Sequence, residues 1–301
     1  MPSPRCGLSP NGLVARDASR RPAVTGTASW HNFQRKGRPA FAGAGMMELF
    51  DTHAHLLDER FDADREALLA ALPAAGIRYV LEACCDEAGF DVVAALSEAY
   101  PFLYASAGVH PHSASEWTKE TAAHLVRALA HPRCVAVGEI GLDYHYDFSP
   151  RDVQKRVFAE QIDIAIAHHK PILVHDREAH GDCMDMLRAY RGRLTGVMHC
   201  FSGSYETAKE CIDDGLYIAF GGALTFKNAV NRRDIAARLP LERLLLETDC
   251  PYMTPEPFRG KRNDPRLTFR TLEVLASVRT EPIEQIAAAT MENAKALFSV
   301  G

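Results

Sequence analysis

The sequence predicts a single α/β domain, a (β/α)8 TIM-type barrel, preceded by an N-terminal extension. Three observations predict it. Eight short β-rich runs recur from Met47 onward in a chain of 301 residues. The runs are mostly unbroken apolar stretches, as strands buried on both faces should be. Amphipathic stretches fill the gaps, and one such barrel needs roughly 250 residues. A doubly wound open sheet uses the same alternation and is the alternative architecture.

Taken in order, the expected strands are Glu48–His53, Arg78–Cys84, Leu103–Val109, Val135–Ile140, Pro171–His175, Gly196–Cys200, Tyr217–Phe220 and Leu244–Asp249. Helical spacing is read over Asp64–Ala75, where Leu68, Leu69 and Leu72 share a face. It recurs over Gln154–His168 with Val157, Ile162, Ala165 and Ile166, and over Tyr205–Asp213 and Leu267–Val278. The barrel domain is assigned to residues 46–301. Residues 1–45 are rich in Arg, Ser, Pro, Gly and Ala and lack an apolar period. They read as a disordered extension, an Arg-rich transit peptide, or an untranslated leader before Met46 or Met47.

The net charge of −5 is unevenly distributed. Residues 1–45 hold seven basic residues and one acidic residue, Asp17, which leaves the body near −11. An acidic body steers a polyanion poorly unless bound cations cancel part of the charge. The eight cysteines form no C-x-x-C pair and read as buried small hydrophobes of a reducing compartment. No apolar run approaches the ~20 residues of a membrane span, so a soluble, cytoplasmic protein is expected, monomeric by default and with no obligate protein partner.

In such a barrel, chemistry sits at the C-terminal ends of the strands, and the ionisable residues obey that rule. The first strand ends Asp51-Thr52-His53-Ala54-His55, and period-two geometry puts both histidines on one side. Glu139 closes an apolar run between two glycines, and a buried carboxylate needs a partner, commonly a cation. The fifth, sixth and eighth strands end on His175, His199 and Asp249. Four histidines and two carboxylates at converging positions point to metal. Six ligands exceed one tetrahedral zinc site with an open position, but fit two divalent ions sharing a carboxylate, with Glu139 as the bridge. Imidazole with carboxylate suits Zn, Mn, Fe, Co or Ni, and Mg where carboxylate and water dominate.

At these positions the sequence resembles the TatD family of metal-dependent deoxyribonucleases, among the amidohydrolase-like barrels. The resemblance is carried by D-T-H-A-H at 51–55, G-V-H-P-H at 108–112, G-E-I-G-L-D-Y at 138–144, V-H-D-R at 174–177, H-C-F-S-G at 199–203, E-T-D-C-P-Y at 247–252 and R-G-K-R-N at 259–263. It covers about Leu49 to Phe298. It implies a (β/α)8 barrel hydrolysing DNA phosphodiesters. It also implies one metal on His53, His55, Glu139 and Asp249, and a second on Glu139, His175 and His199. Members are usually described as magnesium-dependent, while these ligands look more like a transition-metal set, so Mg, Mn, Zn and Co stay open. Cys250 stands where the family commonly has Ser.

The expected reaction is hydrolysis by a metal-activated water, with Asp249 and Glu139 catalytic and Asp249 taking the proton. Glu247 is expected to support the site from behind, and Asp51 to hydrogen-bond a ligand imidazole. His110 is expected to face the DNA substrate. Arg177, Arg259 and Arg262 are expected to hold phosphate, with Lys227, Asn228 and Lys261 as further candidates, and Tyr144 and His145 as possible lining of the mouth. Two rival activities share the ligands: an amidohydrolase acting on a cyclic amide, lactone or phosphoester, and an aminoacyl-tRNA deacylase. Many of the former bridge their metals through a modified Lys, where this chain has Glu139.

Overall fold

The computed structural model describes residues 47–301. The segment 1–45 and its assignments lie outside the described residues. The strands are β1 (Leu49–Ala54), β2 (Ile77–Glu82), β3 (Leu103–Ala107), β4 (Cys134–Asp143), β5 (Ile172–Arg177), β6 (Gly196–Met198), β7 (Leu216–Phe220) and β8 (Leu244–Leu246). All neighbours pair in parallel, in chain order. The ends of the sheet meet through a parallel bridge between Ala54 and Cys250, with His55 N donating to Cys250 O at 2.8 Å and Asp249 N to His53 O at 2.9 Å. This is the expected barrel and not an open doubly wound sheet.

Helices alternate with the strands: α1 (Arg65–Ala71), α2 (Phe90–Ala99), α3 (Lys119–Leu129), α4 (Arg151–Ala167), α5 (His180–Ala189), α6 (Tyr205–Asp213), α7 (Val230–Arg238), α8 (Thr268–Val278) and α9 (Ile283–Phe298). The first helix ends before the expected Ala75, because Pro73 opens a separate 3-10 turn that Gly76 closes at φ 86°. α4 starts earlier than expected, directly after Pro150, with the polar Arg151 and Asp152 as its first residues.

Four strands end before their expected limits: β2 and β3 stop short of Cys84 and Val109, and β6 and β8 short of Cys200 and Asp249. β6 and β8 stop before His199 and Asp249, and the backbone turns left-handed at Cys200 (φ 46°) and Asp249 (φ 56°). The Cys200 amide donates to Glu247 Oε1 at 2.7 Å instead of joining the ladder. β4 is longer, because Gly141, Leu142 and Asp143 pair with His175, Asp176 and Arg177. Gly141 has φ 147°, and a Cβ there would run into the His175 carbonyl, so only glycine fits.

The barrel interior has an apolar floor. Phe50, Leu81, Ala136, Leu173, Val197, Ala219 and Leu245 converge there with Ala294, Leu297 and Phe298 of α9. The Phe50 ring lies 5.5 Å from Tyr79 and 5.8 Å from Phe298. Phe50 and His53 are an odd number of residues apart, yet both face the interior. The β1–β2 register is irregular between Asp51 and Ala54, and such a bulge re-aims the side chains beyond it. The β4–β5 register is likewise irregular between Val137 and Ile140, around Glu139. Five of the seven described cysteines are buried as expected. Among the described residues no helix is long and apolar enough to cross a membrane.

Candidate metal centre

All six expected metal ligands converge at the C-terminal mouth. Glu139 is buried at the centre, and its two oxygens face different histidines. Oε2 lies 3.3 Å from His53 Nε2 and 3.7 Å from His55 Nε2. Oε1 lies 2.6 Å from His175 Nδ1 and 3.6 Å from His199 Nε2. Asp249 Oδ1 completes the cluster, 3.4 Å from His55 Nε2 and 3.9 Å from His199 Nε2.

Three imidazoles are oriented by a partner behind them. His55 Nδ1–H donates to the Ala83 carbonyl at 2.9 Å, His199 Nδ1–H to Glu247 Oε2 at 2.9 Å, and His175 Nε2–H to Asp143 Oδ2 at 3.2 Å. Each bond occupies one ring nitrogen and aims the other inward, as in metal sites generally. His53 Nδ1 is buried with no hydrogen-bond partner among the described residues, and its Nε2 lies only 3.2 Å from His55 Nε2. Converging imidazole lone pairs around a carboxylate are mutually repulsive until a cation joins them, so the donor set fits divalent metal.

The electrostatics agree. Burial alone would push the Glu139 carboxyl up, but the imidazoles of His53, His199, His110 and His175 hold it well below the usual carboxylate range. Burial opposes a proton on His175, yet Glu139 and Asp143 raise that imidazole to about 10. Burial likewise opposes a proton on His199, while Glu247 and Glu139 raise it to about 9. Groups that bind a proton so tightly mark a site built for positive charge.

His110 is buried and lines the cavity. Its Nδ1 accepts from the His112 amide at 3.2 Å, so the neutral ring carries its proton on Nε2, 3.8 Å from Glu139 Oε1. A protonated nitrogen is no metal ligand but is a donor for an anionic oxygen, in keeping with the substrate-facing role expected of it.

Some expectations are corrected. Asp51 touches no ligand imidazole; its carboxylate accepts from Thr248 N at 2.8 Å and Thr248 Oγ1 at 2.5 Å, and burial raises its carboxyl well above the usual value. Arg262 borders the cavity, but its guanidinium forks onto Asp64 at 2.6 and 2.7 Å, so its charge is already balanced. Arg177 and Arg259 also border the cavity and make no carboxylate ion pair among the described residues. Tyr144 donates to Asp182 at 2.5 Å and His145 meets Glu178 at 2.7 Å; their neighbour Tyr146 lines the cavity instead. Two residues escaped the sequence reading. Asp143 sits inside a quoted motif, but its grip on His175 and His112 (2.9 Å) depends on β5 and the loop after β3. Cys85 brings its thiol to 3.6 Å from His55 Nδ1 and 4.0 Å from Glu139 Oε2, with burial pushing it up to about 11.

A parallel barrel whose mouth gathers four imidazoles and two carboxylates above a cavity of about 680 Å³ defines a metal-dependent hydrolase. Residues 50–299 match the family described as TatD related DNase, and the chain belongs to that family. It is 42% identical to the uncharacterized metal-dependent hydrolase YabD of Bacillus subtilis, over 84% of this chain and 99% of that protein. It is 34% identical to the 3'-5' ssDNA/RNA exonuclease TatD of Citrobacter rodentium, over 84% of this chain and 98% of that one. The crystal structure of YjjV, a TatD homologue from Escherichia coli K12, superposes with a TM-score of 0.81 at 35% identity, covering 85% of this chain and all of that one.

Proposed function

We propose that this enzyme hydrolyses phosphodiester bonds of DNA with two divalent metal ions. One ion would be held by His53, His55, Glu139 and Asp249, the other by Glu139, His175 and His199. The observation that carries this reading is the division of the Glu139 oxygens: one faces His53 and His55, the other His175 and His199. That is what a bridging carboxylate requires. The donor set admits Mg, Mn, Zn or Co.

Bound ions would supply Lewis-acid charge to the phosphate and lower the pKa of the attacking water. The chain's own residues do the rest. Asp249 takes the proton of that water; burial opposes its ionisation, but the His55 hydrogen bond and the His199 charge keep it a carboxylate. His110 Nε2–H donates to a phosphate oxygen. Arg177 and Arg259, without a carboxylate ion pair among the described residues, attract the phosphates of the strand, and Arg262 borders their path. The new P–O bond forms as the bond to the leaving sugar oxygen breaks, and that oxygen takes up the proton that Asp249 removed from the water. The name of the Citrobacter relative supports a 3'-to-5' direction on single strands. The enzyme is taken to work as a cytoplasmic monomer.

The test uses 5'-labelled single- and double-stranded oligonucleotides with Mg, Mn, Co or Zn, and with EDTA. Metal-dependent ladders shortening from the 3' end are expected. Cleavage that survives EDTA would sink the metal assignment. Deacylation of aminoacyl-tRNA without DNA cleavage would move the substrate to the ester rival.

A further inference from the structure

We propose that Tyr146 and Phe148, with Arg177, form a stacking platform for a nucleobase of a single-stranded substrate beside the metal centre. The proposal rests on the phosphodiesterase reading above and specifies which part of the substrate the wall of the site reads.

Phe148 is 52% exposed, and only it and Val230 are large exposed hydrophobics among the described residues. Its ring lies nearly parallel to Tyr146, with centroids 5.2 Å apart and planes 17° apart. Tyr146 lines the cavity that holds His110, Glu139 and Asp249, so the pair runs from that cavity out to solvent. The Arg177 guanidinium lies 4.8 Å from the Tyr146 ring centre, placing a positive charge where a phosphate next to a stacked base would lie.

The platform is held firmly. His112 packs edge-on against Tyr146 at 5.4 Å and Phe148 at 4.9 Å. The same His112 donates to Asp143 at 2.9 Å, and Asp143 also accepts from His175 and from the Tyr146 amide. Ser149 Oγ donates to the His112 carbonyl at 2.9 Å. An exposed aromatic ring on a loop tied down at both ends is preorganised to meet something flat. The chain neighbours Asp147 and Arg151 are exposed and charged, so the surroundings do not suit a broad apolar interface.

A further arginine–aromatic pair borders the same cavity: Arg259 lies 3.7 Å from the Phe226 ring centre. Arg60 lies 4.1 Å from the Tyr252 ring centre, but its guanidinium forks onto Asp58 at 2.8 Å, so its charge is already balanced. Guanidinium charge interleaved with ring faces is the chemistry that binds single strands: phosphates meet the cations and unpaired bases meet the rings. Bases inside a duplex have no free face to offer.

The experiment compares Phe148→Ala and Phe148→Trp with the wild type on single-stranded oligonucleotides. Each substrate is intact or carries one abasic site, moved in turn through the nucleotides nearest the cleaved bond. Removing the base at one position should lower wild-type kcat/KM by about 5- to 100-fold, mainly through KM. Phe148→Ala should show a similar loss on the intact strand and little further loss at that abasic position. Phe148→Trp should restore the discrimination. Melting temperature and metal content of each variant report folding separately. Equal abasic sensitivity in wild type and Phe148→Ala overturns the platform and leaves phosphodiester hydrolysis standing. If the wild type cleaves no oligonucleotide with any metal, the nuclease reading fails and the platform falls with it.

Discussion

The floor and the mouth of the barrel stand on the same eight strands and differ in what holds them. At the floor, Phe50, Tyr79 and Phe298 meet at ring separations of 5.5 and 5.8 Å among aliphatic residues, closed by α9. Burial of apolar surface stabilises that end without further partners. At the mouth, Glu139, Asp249 and four imidazoles are also buried or nearly so, but burial opposes their charges. That end depends on a second circle of polar partners, Ala83, Asp143 and Glu247, and fits bound cations. The contrast teaches that stability and chemistry are assigned to opposite ends of one strand: Phe50 and His53 are separated by one irregularity in register.

The largest effect that could break this division is at the floor. Phe50→Ala should cost about 3–5 kcal/mol of folding stability, read by denaturant unfolding, while molecules that stay folded keep their turnover. Loss of turnover at unchanged stability would erase the distinction between the ends. Next, Glu139→Ala should lose at least ~10²-fold in rate and release metal. Near-normal activity in that variant would remove Glu139 from the bridge. The partners behind the ligands should matter less: Asp143→Asn and Glu247→Gln should each weaken metal binding by about 10- to 100-fold, measured by calorimetry. No change in metal affinity would reduce these contacts to packing. The smallest effects separate two arginines on one wall. Arg259→Ala should raise KM a few-fold and flatten its salt dependence. Arg262→Ala should change KM less, because Asp64 already balances its charge, and should cost under about 1 kcal/mol of stability. Equal KM effects would mean that the Asp64 pair opens when substrate arrives.

Much of the centre was legible along the chain. Short apolar runs ending in His53, His55, Glu139, His175, His199 and Asp249 are local patterns, and a barrel carries strand ends to one face. Strand limits were less legible where the site overrides the ladder: apolar Leu244–Leu246 continues into Glu247-Thr248-Asp249, but the backbone leaves the sheet to aim its carboxylates. The fate of neighbouring polar residues was not legible at all. Asp51 looked equivalent to Glu247 as a support for an imidazole, yet one meets Thr248 and the other His199. Arg262 looked equivalent to Arg259, and Tyr144 looked like lining of the mouth, until their partners Asp64 and Asp182 were known.

The sequence by itself determined the alternation of strands and helices, the types of metal-binding group and their placement at strand ends, because periodicity and strand termination are properties of adjacent residues. The tertiary structure alone decided which nitrogen of each imidazole faces Glu139, which arginines remain without a carboxylate, and that Tyr146 and Phe148 stack beside the cavity. Those outcomes depend on contacts such as Asp51 with Thr248 and Arg262 with Asp64, separated by 197 and 198 residues. Only closure of the barrel brings such pairs within a hydrogen bond of each other.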